Sequence, residues 1–190
     1  MTEGSSIGFK EWANVCEALG TGASALILRK GGIHEGRGGF EFRHKQFFFF
    51  PTWFHTQNQR LTWSPERPER FDFPLEEERS SVEISFYAEL RGLWRVTDWA
   101  KVAALEHLHV WQEEIVKERF VYDEESCLNV ALVRAYKLPQ CWSFPYAKSY
   151  GGCRSWVNLP AIPCAVEEMT AALSDEAFAQ VQTEVRAILG

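Results

Sequence analysis

The 190 residues contain no apolar run near the ~18 that a membrane-spanning helix needs. The longest, Phe47–Phe50, is far too short. The start, Met1–Ser6, is polar and has no charged-then-apolar signal pattern, so a cytoplasmic protein with no membrane partner is expected. There is no C-x-x-C: the five cysteines (Cys16, Cys127, Cys141, Cys153, Cys164) are odd in number and widely spaced. That argues against a disulfide framework and a structural zinc site, and favours reduced thiols acting as small core hydrophobes. There is no H-E-x-x-H, and no metal ligand set is assigned. A carboxylate nuclease would want an acid ahead of an acid-x-Lys strand, but Glu41 stands four residues before Lys45, and Glu113-Glu114 precede Lys117 on an expected helix. Positive charge is also scarce. A net charge of −6 is the wrong sign for a protein that coats DNA through phosphate neutralisation.

Aromatic residues are plentiful: 14 Phe, 8 Trp and 5 Tyr. With 46% apolar and 24% charged residues, the chain has a globular balance and enough length for one domain with a real core. The charge is uneven. Residues 1–60 hold 7 Lys/Arg against 5 Asp/Glu, residues 61–120 hold 8 against 13, and residues 121–190 hold 5 against 8. The first third is therefore slightly basic. Arg29, Lys30, Arg37, Arg43 and Lys45 there form either a solvated mixed surface or a phosphate-binding face.

Periodicity predicts a helix over 7–19, with Phe9, Trp12, Ala13, Cys16 and Leu19 on one face and Gly20 closing it in the left-handed conformation. A buried strand is expected at Ala23–Leu28, and another from Phe40 to Phe50, ending at Pro51. The five glycines at 31, 32, 36, 38 and 39 match no Walker or dinucleotide fingerprint and read as a turn between strands. Thr52 could cap a short helical turn through Gln59. Residues 60–81, broken by Pro65, Pro68 and Pro74 and dense in charge, read as a loop. Ser81–Val96 reads as a strand with a bulge at Gly92, Asp98 or Thr97 starts a helix to about Leu105, and a second helix is expected over 106–119. Cys127–Leu138 alternates as a strand that Pro139 ends, and 141–160 reads as irregular with short strands. The tail, 164–189, is expected to be helical, with Ser174 capping its last helix. Few strands are separated by a single crossover helix, so the fold class expected is α+β: a mostly antiparallel sheet with flanking helices in a single domain over 1–190. A small β-barrel with helices is the alternative.

The densest set of reactive side chains is His34, Glu35, Arg37, Arg43, His44, Thr52, His55 and Gln57. Histidine titrates near neutral pH, so His44, His55 and Glu35 are candidates for acid–base work or metal binding. The bland alternative has His44 and His55 capping strands and bonding backbone carbonyls. His107 and His109, two apart on an expected helix, point in different directions. Cys153, after Gly151-Gly152, is either an exposed nucleophile or a thiol packed beside Trp156 in a glycine-kinked strand. Trp53, Phe54, Trp63 and Tyr146, beside loops or basic residues, are the aromatics that could stack on a base.

The blocks Phe9-Lys10-Glu11-Trp12 with Cys16-Glu17-Ala18-Leu19, Leu28-Arg29-Lys30-Gly31-Gly32-Ile33, and His44 … Phe47 … Phe50-Pro51-Thr52 … His55 resemble the bacterial family known as domain of unknown function 1802. Arg119-Phe120 … Tyr122, Leu132–Pro139 and Tyr150–Val157 resemble its later blocks, so the likeness spans roughly residues 8–160. Some members are fused to a restriction-endonuclease-like domain, which implies a context in restriction–modification or defence. The resemblance also implies recurrent polar positions at Glu35, His44, Thr52, His55, Arg134 and Tyr150. Where a Gln often follows the His directly, this chain has Thr56 and then Gln57. The function expected is an accessory, non-catalytic module associated with nucleic acid. Its pocket would be made by residues 29–57 and the 146–156 loop, with Arg29, Lys30, Arg43, Thr52, Trp53, Gln57, Arg134, Tyr150 and Cys153 as ligand-binding candidates. A small hydrolase or metal-dependent enzyme using His44, His55 and Glu35 is the alternative, and an interaction protein with a large exposed apolar patch is a third. The residues point to no particular cofactor and no oligomeric state.

Overall fold

The computed structural model describes residues 6–30, 42–53, 57–65, 80–122, 124–152, 154–162 and 164–190. The elements run β1 (Ser6–Trp12), α1 (Ala13–Gly20), β2 (Leu26–Arg29), β3 (Gln46–Thr52), β4 (Ser81–Val96), α2 (Trp99–Ala103), α3 (Glu113–Val121), β5 (Leu128–Pro145), β6 (Trp156–Leu159), β7 (Thr170–Ala171) and α4 (Asp175–Leu189). The seven strands form one mixed sheet in the order β2-β5-β4-β3-β1-β6, with β7 also on β5. The pair β1–β3 is parallel, and the other described pairs are antiparallel. The sheet is open rather than closed, since its end strands β2 and β6 do not meet. The chain is therefore α+β with a mostly antiparallel sheet, and not a barrel.

The aromatic run of β3 shows how the sheet is covered. Successive strand residues point to opposite faces. Phe47 and Phe49 enter a core shared with α1 to α4, while Phe48 and Phe50 enter a second core on the other face. All four are 4% exposed or less. Among the described residues no α-helix contributes to the second core, which is roofed by Tyr150, Ile162, Cys164 and Met169.

Several elements differ from the sequence expectation. The helix over 7–19 is half strand: β1 pairs with β3 through Gly8–Trp12 and with β6 through Ser6–Phe9. A strand flanked on both sides is buried on both faces, so its pattern resembles an apolar helix more than an alternating strand. Lys10 and Glu11, which a helix would have turned to solvent, are 8% and 3% exposed. Gly20 does not take the left-handed conformation. Gly22 does, at φ 82°, and Gly20 instead makes room for Phe86, whose ring a Cβ would meet at 2.2 Å.

Pro139 does not end β5. Ile84 faces Trp142 and Phe86 faces Lys137, so residues 138–141 all oppose Ser85 in an enlarged bulge. Pro139 lies within that bulge and interrupts no ladder hydrogen bond. The bulge expected at Gly92 is present, between Leu90 and Gly92.

The helix expected over 106–119 is broken. A 3-10 turn at Glu106–Leu108 is followed by extended residues, and Trp111 bridges Leu61 before α3 begins. Residues 164–174 are likewise not helical. They form a 3-10 turn at Val166–Glu168 and then β7. Ser174 does cap α4, accepting from the Ala177 N–H at 3.2 Å. The loop expected from residue 60 starts inside the core at Leu61, 5% exposed. Of the described cysteines, Cys16 and Cys127 are buried, Cys164 is half-buried against the second core, and Cys141 is exposed, so Cys141 is the one that does not act as a core hydrophobe. No helix among the described residues is long and apolar enough to cross a membrane. The exposed large apolar side chains among them, Leu93, Val121, Tyr122 and Val166, come from three separate parts of the chain.

Candidate functional site

A cleft of about 210 Å³ opens at the β6 edge of the sheet. It is lined by His44 just before β3, Ser149 and Tyr150 of a 3-10 turn (Lys148–Tyr150), and Arg154, Trp156 and Asn158 around β6, with Ile7 and Val157 at its base. Trp156 is anchored from behind by Phe9, Phe47 and Phe42, at 4.9, 5.3 and 6.2 Å between ring centres. The His44 ring meets Trp156 at 5.0 Å and 67°. It makes no hydrogen bond with any described residue, so it caps no described backbone carbonyl. Tyr150 is 8% exposed and packs on Phe50, Phe144 and Tyr146.

The buried Lys10 fixes the loop that frames the cleft. Its ammonium donates to the Gly152 carbonyl at 3.0 Å, and its backbone N–H donates to the Ser155 carbonyl at 2.8 Å. Gly152 takes φ 82°, and the Arg154 N–H closes the turn on the Gly152 carbonyl at 3.0 Å. Of the stretches 29–57 and 146–156 expected to form a pocket, His44, Ser149, Tyr150, Arg154 and Trp156 line this cleft. No carboxylate is among the described lining residues.

A second polar cluster lies at the carboxyl ends of β1 and β3. The Glu11 carboxylate takes an ion pair from Arg29 at 3.1 Å and the Trp12 N–H at 2.8 Å. The Glu11 carbonyl accepts the Thr52 hydroxyl at 3.0 Å. Arg29 also donates to the Lys10 carbonyl and lies 5.0 Å over the Phe9 ring. Burial pushes the Cys16 thiol well up, with Glu11 adding to the effect. Arg29 and Thr52 stand out in the sequence, whereas Glu11 and Lys10 fall off the apolar face of the helix expected there. Their only signal was membership of the Phe9–Trp12 block.

The other candidates scatter. Lys30 donates to the carbonyls of Phe120, at 3.1 Å, and Glu125, tying β2 to the turn before β5. Arg134 pairs with Asp175 and lies over Phe178, pinning α4 to the sheet. That bond draws the Asp175 carboxyl down and the Arg134 guanidinium up. Arg43 is exposed, and Trp53 is half-buried. Trp63 packs against the first core and Tyr146 against the second. Gln57 begins a 3-10 turn (Gln57–Arg60), and its side chain is outside the described residues. His34, Glu35, Arg37, Phe54, His55 and Cys153 also lie outside them, so the convergence of His44 with His55 and Glu35 is not described. His107 pairs with Glu184 at 2.6 Å, while His109 is buried and accepts the Trp111 N–H at 3.2 Å. Among the described residues no three His, Cys, Asp or Glu side chains gather as a metal site.

An open mixed sheet with α-helices on one face and an aromatic cleft at its edge defines an α+β protein with a small pocket. The chain belongs to the family described as Domain of unknown function (DUF1802), whose model matches residues 8–184. The match extends beyond the 8–160 expected and takes in most of α4. No curated protein matches the chain. A solved structure of a mutant ZmASCH protein from Zymomonas mobilis is similar at 8% identity and a TM-score of 0.47, over 96% of this chain and 98% of that one. That likeness is too slight to carry an argument.

Proposed function

We propose that the protein is a non-catalytic, cytoplasmic nucleic-acid-associated module whose cleft holds an unstacked base. The observation that carries this reading is the His44–Trp156 pair, 5.0 Å apart, with Arg154 and Asn158 beside it and no carboxylate among the described lining residues. Trp156 supplies a flat apolar surface, His44 supplies ring nitrogens that bond no described residue, and Arg154 supplies charge for an adjoining phosphate. The volume suits one heterocycle and not a duplex. The overall charge of −6 would keep affinity local to this cleft and dependent on salt. The family resemblance supplies the context, an accessory role in restriction–modification or defence.

Fluorescence anisotropy with labelled single-stranded and duplex DNA and RNA, between about 50 and 200 mM salt, tests this reading. Single strands should bind better than duplex. Arg154→Ala, at an exposed position, should weaken binding and reduce the salt slope by about one. His44→Ala should weaken it with little change in that slope. No single-strand binding at the lowest salt, or binding indifferent to both substitutions, would refute it.

A further inference from the structure

The cleft runs along the outer edge of β6. Its lining includes Trp156, which packs against the first core, and Val157, which enters the second, so it is reached from both faces of that strand. The ladder with β1 fixes where the backbone of β6 points. The Lys10 N–H donates to the Ser155 carbonyl, and the register continues through Phe9–Trp156, Gly8–Val157, Ile7–Asn158 and Ser6–Leu159. In an antiparallel pair, hydrogen-bonded and non-hydrogen-bonded positions alternate. Ser155, Val157 and Leu159 therefore face β1, while Arg154, Trp156, Asn158 and Pro160 form the outward series.

Two members of that series have no N–H to offer. The Arg154 N–H is held by the Gly152 carbonyl at 3.0 Å, and Pro160 has none. Between them, the Asn158 N–H and carbonyl bond no described group, and neither does its exposed side chain. An edge stopped at both ends is a poor template for an added strand. It suits a small planar ligand, because the N–H and carbonyl of one extended residue point the same way and set a donor beside an acceptor. The pairing edge of each nucleobase carries the complement, an acceptor beside a donor, and is open only in an unpaired base.

We propose that the outward backbone of Asn158 reads the pairing edge of the base held in the cleft, with the Trp156 ring as the surface beside it. This rests on the reading of the cleft as a single-strand site. It narrows the ligand to an unpaired base whose pairing edge is intact, recognised by neutral hydrogen bonds and not by charge.

Fluorescence anisotropy of the full chain tests this, with labelled trinucleotides that carry one central base between two abasic sites. Adenine should bind about 10-fold better than unsubstituted purine, which lacks the amino donor, and uracil about 10-fold better than N3-methyluracil. Asn158→Pro removes the outward N–H, keeps the bonds to β1 and should weaken adenine binding about 10-fold with the salt slope unchanged. Asn158→Ala keeps the backbone groups and should stay within about twofold of the native protein. If Asn158→Pro does not fold, hydrogen exchange on the native chain decides. The Asn158 amide should exchange freely alone and become protected with the adenine trinucleotide, while Val157 and Leu159 are protected in both. Equal losses in Asn158→Ala and Asn158→Pro, no protection at Asn158, or a dimer of the chain that Asn158→Pro abolishes would each overturn the proposal. Those results leave single-strand binding standing, whereas its absence from the native protein refutes the reading of the cleft itself.

Discussion

Replacing His109 by asparagine should remove a pH-dependent loss of stability that the native protein shows between about pH 6.5 and pH 4. His109 is 7% exposed. Its Nδ1 accepts the Trp111 N–H at 3.2 Å, so the neutral ring carries its proton on Nε2. Burial, with Arg119 and His107 adding like charge, lowers its pKa to about 4. In the unfolded chain the imidazole returns to about 6.5. Above 6.5 neither state holds the proton, and the folded protein keeps its full stability. As the pH falls below 6.5 the unfolded state takes up a proton that the folded state refuses, and stability declines until about pH 4. The difference of roughly 2.5 units corresponds to about 3 kcal/mol at its limit. Asparagine can keep an acceptor near the Nδ1 position but does not titrate. Urea unfolding of both proteins, at half-unit steps from about pH 7.5 to 4.5, measures the effect. The difference in stability between them should be flat above about pH 7 and then move against the native protein by nearly 1.4 kcal/mol per unit. Carboxylates that titrate over the same range act on both proteins and cancel. Parallel curves throughout would refute a buried, neutral His109.

Two further substitutions probe the packing. Glu11→Gln removes the buried partner of Arg29, so it should destabilise by about 3 kcal/mol in urea unfolding. Adding Arg29→Met to it should recover part of that loss. Gly20→Ala places a methyl 2.2 Å from the Phe86 ring and should cost about 1–3 kcal/mol, whereas a helix-closing glycine at that position would have predicted strain from its backbone conformation instead.

The parts of the fold legible in the sequence are those set by local chemistry. The β4 boundaries, the Gly92 bulge, the Asp98 cap of α2 and the Ser174 cap of α4 each depend on residues within a few positions of one another. The misread parts depend on partners far away. Residues 7–12 form a strand because Phe48–Thr52 and Trp156–Leu159 flank them. Pro139 sits inside β5 because β4 tolerates a bulge opposite Ser85. Trp111 leaves a helical pattern to bridge Leu61, fifty residues earlier. The candidate site divides in the same way. His44, Arg29, Thr52 and Tyr150 stood out as polar residues amid apolar blocks, but nothing local shows that His44 meets Trp156 or that Arg29 pairs with Glu11.

Composition and local pattern alone determined that this is an α+β chain with an aromatic strand, no long apolar span and a basic first third. Burial preference and backbone propensity act over short distances, so a single sequence expresses them. Which charges are buried together was decided by the tertiary structure. Lys10 and Glu11 point to opposite sides of β1, one to the loop that frames the cleft and the other to Arg29. Only the parallel pairing of β1 with β3, and the return of β6 to β1, bring both sets of partners to those two adjacent residues.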